Sequence, residues 1–221
     1  MTPVARLVLL WLGFAGSHLV LSSLPVRRRL VARMGEGPFR GLYSLVAFAF
    51  FIPLVVTYFA HKHAGPQLWT LSHGPALLAT VYVGMAFAFV LIAAGLMQPS
   101  PGFVVPGDAT PRAVHRITRH PIMMGIAFIG LFHLLPNGSA TDVAFFGGLV
   151  LFPLIGSAHQ DRRKLASGDE RFRRFYEATP FLPFAGGASL GALRELFPAV
   201  AAVGVAVACI VRYFHSSWFG G

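Results

Sequence analysis

The sequence predicts an all-α fold, a polytopic membrane helix bundle of about six transmembrane helices, on three observations. Of 221 residues, 55% are hydrophobic and 12% charged. The mean hydropathy of +0.66 lies above that of ordinary soluble domains. Apolar stretches near the roughly 20 residues that a helix needs to cross a hydrocarbon core also recur along the chain.

These stretches are residues 4–24, 41–60, 75–97, 121–136, 143–158 and 196–214, the fourth and fifth being short. The first is followed by Arg27, Arg28, Arg29, Arg33 and Arg40 with no small-x-small cleavage pattern before them, so it is expected to be a retained span. The whole chain, 1–221, is read as one transmembrane domain. Residues 159–195 form its longest polar segment, a basic loop too short to build a core of its own. Scattered glycines, no internal repeat and no nucleotide-binding fingerprint complete the pattern.

The net charge of +10 suggests nucleic acid until its distribution is followed. Fifteen of the eighteen Lys and Arg residues fall in loops one, three and five, and one, Lys62, in loop two. That alternation is the positive-inside pattern. It places the basic loops in the cytoplasm and both termini outside, in a bacterial-type inner membrane. Topology therefore accounts for most of the charge, membrane lipid is the expected partner, and no nucleic-acid partner is expected. The lone Cys209 excludes an intramolecular disulfide and CxxC chemistry.

Among nine histidines, His18 and His133 lie within apolar helices, where an ionisable group marks a functional hypothesis by default. The plainer reading is a neutral imidazole bonded to a serine or a neighbouring carbonyl. Small residues accompany both: Gly13, Gly16 and Ser17 in the first span, Gly125 and Gly130 in the fourth. Two such histidines on different spans suit a flat macrocycle held by axial imidazoles. At about 1.5 Å per residue, depth does not choose a partner for His18 among His133, His120 and His159. No Ser/His/Asp or Cys/His arrangement stands out, since Ser17 cannot face His18 on a helix.

A second constellation is RITRHPIMMG, residues 116–125, with HQDRRKLASGDERFRRFYEATPFLP, residues 159–183. Arg119 and His120, just before a proline at a helix start, offer donors to an anion at the membrane surface. The alternative is inner-leaflet anchoring by arginines as a class. Asp161, between His159 and Arg162, is the acid singled out.

From GSHLVLSSLPVRRRL through FRGLYSLVAFAF, Leu68 and Trp69 to RHPIMMG, FHLLPNG and HQDRR, the sequence resembles the NnrU family. These membrane proteins are named for a nitrite and nitric oxide reduction gene cluster and are related to zeta-carotene isomerase. The resemblance implies haem b, with the two haem histidines at His18 and His133 and the RHP histidine at His120. It also implies an isomerase-like or redox role on a lipophilic small molecule, or a haem sensor or assembly factor for denitrification. The isomerase carries a proposed ligand-switching cysteine where this chain has Gly130. RHP with a downstream acid, aromatics and a TP..P ending also resembles isoprenylcysteine carboxyl methyltransferases. That likeness implies S-adenosylmethionine held by Arg119, His120, Asp161 and Arg162, with Phe172 and Phe175 where tyrosines are common.

Overall fold

The computed structural model describes residues 1–103, 107–186, 189–196 and 198–220. Residues 187–188 of the expected basic loop and Phe197 of the expected last span lie outside the described residues. The described residues form helices, with no β element except an isolated bridge between Gln67 and Ser139. Five helices are long and apolar enough to cross a membrane: α1 (Pro3–Ser22), α3 (Glu36–Ala60), α4 (Pro75–Met97), α7 (Ala140–Ala166) and α10 (Pro198–Phe219). Between them lie α2 (Leu24–Met34), α5 (Ala113–Ile117), α6 (Pro121–Leu134), α8 (Glu170–Glu177) and α9 (Ser189–Glu195).

Three boundaries depart from the sequence reading. Loop one is the helix α2, because extended Ser23 ends α1 and Pro25 restarts the helix at once. Gly35, at φ +86, turns the chain into α3, a conformation that a Cβ would strain. Glu36 then takes Arg27 at 2.6 Å and Arg40 at 3.2 Å, so part of the basic run is paired at the surface. The fourth expected span has only 14 helical residues, about 21 Å, less than the hydrocarbon core. The fifth is longer than expected and reaches Ala166, so the start of the expected basic loop is the last turns of α7.

The chain divides into two compact units, each assembled from separate stretches: Met1–Leu71 with Leu134–Gly148, and Ser72–His133 with Leu149–Gly221. In the first, α1 packs on α3 around buried Leu7, Trp11, Leu54 and Tyr58, with Phe145 stacked on Tyr58 at 4.1 Å. Trp11 covers Gly148 and Phe50 covers Gly13. In the second, α4 packs on α10 and α5 on α9, around Leu91, Ala94, Val114, Ile117, Met124 and Val200.

The glycines are packing devices. A Cβ on Gly204 of α10 would meet the Val90 Cα of α4 at 2.5 Å, so these helices touch backbone to backbone. Gly204→Ala is expected to lower stability by about 1–3 kcal/mol. Gly147→Ala, at a helical position with nothing within 4 Å, is expected to be neutral or stabilising by up to about 1 kcal/mol. Thermal unfolding of both variants in one detergent checks the opposite signs.

His115 in α5 is 1% exposed and its Nδ1 accepts the Arg112 N–H at 3.3 Å. Burial pushes its pKa down from 6.5 to about 4, with Arg112 adding to the fall and the Gln98 backbone opposing it. The unfolded chain therefore takes up a proton that the folded one refuses. Stability from this group is complete above pH 6.5 and is lost as pH falls toward 4, by up to about 3 kcal/mol. His115→Phe is expected to flatten that part of the stability profile, measured as the unfolding midpoint between pH 7 and 4.

Candidate functional site

The second unit folds the RHP segment against the end of loop five. The Arg119 N–H donates to the Pro180 carbonyl at 2.9 Å, Thr118 Oγ1 to the Phe181 carbonyl at 2.6 Å, and the Phe184 N–H to the Ile117 carbonyl at 3.1 Å. This stretch runs through bends and a turn, with Phe184 at φ +64, and presents the carbonyls of Pro180 and Phe181 to Arg119 and Thr118. α8 begins with Asp169, whose side chain caps the Arg171 and Phe172 N–H groups, and it seats Phe172 and Phe175 in the interior.

Asp161, near the end of α7, accepts from two neighbours in sequence: Arg119 Nε at 2.8 Å through Oδ2 and His120 Nε2 at 2.9 Å through Oδ1. All three side chains are more than nine-tenths buried. Arg119 Nη1 also donates to the Thr179 carbonyl at 2.6 Å, and its guanidinium lies 4.1 Å over the Tyr176 ring. A carboxylate only accepts, so His120 donates its Nε2 proton to Asp161, which leaves Nδ1 as the ring nitrogen not engaged by the acid. A cavity of about 120 Å³ adjoins this triad, walled by the end of α4, the turn after it, the start of α6 and Gln160 of α7.

Of the residues read from the sequence, the structure brings Arg119, His120 and Asp161 together. Arg162 points outward and is exposed. His159 stays half-buried, its Nε2 without a hydrogen-bond partner among the described residues. His18 lies in the first unit, with Phe14 at 4.2 Å and Tyr43 at 4.9 Å from its ring. His133 lies in the second, its ring 6.2 Å from that of His215. Each donates Nδ1–H to the carbonyl one helical turn earlier, His18 to Phe14 at 2.9 Å and His133 to Ile129 at 2.8 Å. That bond fixes the tautomer with its lone pair on Nε2.

The sequence reading missed a polar cluster in the first unit. Asp142, 1% exposed, accepts from Ser139 Oγ at 2.6 Å, Tyr58 OH at 2.9 Å and His63 Nδ1 at 3.0 Å. Its signal is SATD, a Ser-x-x-Asp capping pattern ahead of an apolar run. His215, beside His133, had no comparable signal, because a ring contact between residues so far apart in sequence is not encoded locally.

The description "NnrU protein" matches the chain over residues 6–221. The chain belongs to the NnrU family. This NnrU-family chain is also similar to two proteins named 15-cis-zeta-carotene isomerase, chloroplastic. The Arabidopsis thaliana protein is 28% identical over 193 residues, 83% of this chain and 50% of the plant protein. The Zea mays protein is 27% identical over 187 residues, 81% and 49% respectively. The chain thus spans about half the length of the curated relatives it matches. No solved structure matches.

Removing one partner from a buried ion pair leaves a charge uncompensated, at a cost of about 3–5 kcal/mol. Asp161→Ala is therefore expected to destabilise the protein strongly. Arg119→Met combined with Asp161→Leu is expected to cost less than the sum of the single changes. A double-mutant cycle on detergent unfolding midpoints measures that coupling.

Proposed function

We propose that this NnrU-family chain is a membrane isomerase-like protein acting on a lipophilic small molecule, with haem b held by helix-borne histidines and His18 and His133 as the candidate axial ligands. The observation that carries the haem reading is the bond from each Nδ1 to a carbonyl of its own helix, which leaves Nε2 as the ligating nitrogen and restrains the ring. Similarity along four-fifths of the chain to proteins named as isomerases supports the activity class. The basic alternation supports a bacterial-type inner membrane with loops one, three and five in the cytoplasm.

Bound haem would supply an iron centre able to polarise a polyene and lower its barrier to rotation. The chain's part is to orient the imidazoles. Phe14 of α1 and Tyr43 of α3 flank His18 and limit its rotamers. His215 of α10 flanks His133 of α6 and is a neighbouring imidazole that bears on ligand choice.

A second reading is methyl transfer from S-adenosylmethionine. One observation favours it: Asp161 closes on Arg119 and His120 beside a cavity. At about 120 Å³ that cavity is smaller than the roughly 300–1,000 Å³ of ligand pockets in general, which ranks this reading second.

The protein purified from haem-supplemented cells is expected to show a b-type pyridine haemochrome. His18→Ala and His133→Ala are each expected to lose or alter the Soret band while still inserting in the membrane. Full haem retention in both variants overturns the ligand assignment. A colourless protein that binds S-adenosylmethionine by calorimetry would favour the second reading.

A further inference from the structure

The cavity beside the triad is walled mainly by Phe103, Pro121, Ile122 and Met123, with Gly95 and Gly102 contributing no side chain. Polar groups reach it from Ser100, Gln160, Arg119 and His120. Two of these are already engaged: Gln160 Nε2 donates to the Gly102 carbonyl at 2.6 Å, and Arg119 is neutralised by Asp161 and capped by Thr179. The Asp161 carboxylate cancels the guanidinium charge, so the wall offers no uncompensated cation to an anion. His120 is different. Its Nε2 proton is committed to Asp161, and among the described residues nothing donates to its Nδ1.

A lone pair on a buried imidazole seeks a proton donor. Ser100 Oγ, on the same wall, has no hydrogen bond among the described residues and can donate or accept. Beside the engaged Gln160 and Arg119, one imidazole nitrogen and one hydroxyl in a mainly apolar cavity of about 120 Å³ complement a neutral hydroxyl, which gives one hydrogen bond and takes another. The volume suits a terminal group and a short piece of chain. Leu96 and Met97, next to Gly95 at the end of α4, are 59% and 54% exposed, so exposed apolar surface adjoins the cavity wall.

We propose that this cavity binds the terminal hydroxyl of a lipid-soluble alcohol, with His120 Nδ1 as its hydrogen-bond acceptor and Asp161 as the positioning residue that fixes the acceptor tautomer. The arrangement is that of a buried acid orienting a histidine toward a partner's O–H. It does not depend on haem, and it gives the chain a reason to bury an ion pair in a region where apolar residues pack more cheaply.

The test uses the full chain in lipid nanodiscs with nitrogen-15 histidine, the His120 signals being assigned by comparison with His120→Gln. Decanol, decane and decanoate are the probes. The expected result is a saturable shift of His120 Nδ1 with decanol, none with decane, and weaker binding of decanoate. Ser100→Leu, which fills the cavity from the loop side, is expected to weaken decanol half-saturation about tenfold or more. Met123→Phe is a second filling variant should the first fail to fold. An unchanged Nε2 signal reports that the contact with Asp161 survives in either. A response to decane equal to that of decanol, tighter binding of decanoate, no Nδ1 response, or full response in the filled variants would each overturn the proposal. Haem content is read separately by absorption, so failure here leaves the haem reading untouched.

Discussion

A carboxylate withdrawn from water must be answered by donors, and the local architecture around Asp161 follows from that requirement. Its two oxygens take Arg119 and His120, consecutive residues whose side chains converge because the chain is extended at Thr118 and turns into α6 at Pro121. Arg119 in turn needs the Thr179 carbonyl and the Tyr176 face, which fixes where α8 ends. The Pro180 and Phe181 carbonyls then accept from Arg119 and Thr118, and the Phe184 N–H donates to the Ile117 carbonyl. One buried charge thus orders the end of α7, the start of α6 and the return from α8. Such a network stabilises less than its bond count suggests, because desolvation offsets much of the attraction, but breaking it is costly.

The other end of α7 repeats the requirement with different chemistry. Asp142 sits in the first helical turn, where the helix dipole favours an acid, and it is met by two hydroxyls and an imidazole with no guanidinium among them. The first-unit arrangement also holds loop two against the turn before α7, through Leu68 to Gly138, Ala140 to Pro66 and Thr141 to Ala64. Large apolar side chains elsewhere remain exposed, among them Leu12, Leu45, Val83 and Ile210. Lipid, not a water-excluding core, is the medium that suits them.

Membrane character and helix positions were legible in the sequence because hydropathy is a local property summed over a window. Helix ends were less so: α2 was hidden inside a run of arginines, and the polar last turns of α7 looked like loop. Asp161, Arg119 and His120 could be singled out from the sequence, since charge beside proline at a membrane edge is a local signal, and the structure brings their side chains together. Their mutual bonds were not legible, because the contact spans some forty positions. Arg162 was carried along by proximity in sequence, yet helical geometry turns it away from Asp161. The small residues beside His18 leave room for another helix or a flat ligand, and at Gly13 the space is taken by Phe50 of α3 while Gly16 stays open. Tyr58, His63 and Asp142 escaped notice because each stands in or beside a segment that reads only as apolar span or connector.

The division of α7 between the units bears on how the protein is made. Tyr58 and His63 leave the ribosome 84 and 79 residues before the acid they serve. At about 5–20 residues per second, that is a wait of roughly 4–16 s. During it α1 and α3 are present, but Tyr58 and His63 have no carboxylate to bond until the start of α7 arrives. The amino-terminal part of the chain is therefore finished by its middle, and its assembly order is set by translation as well as by affinity.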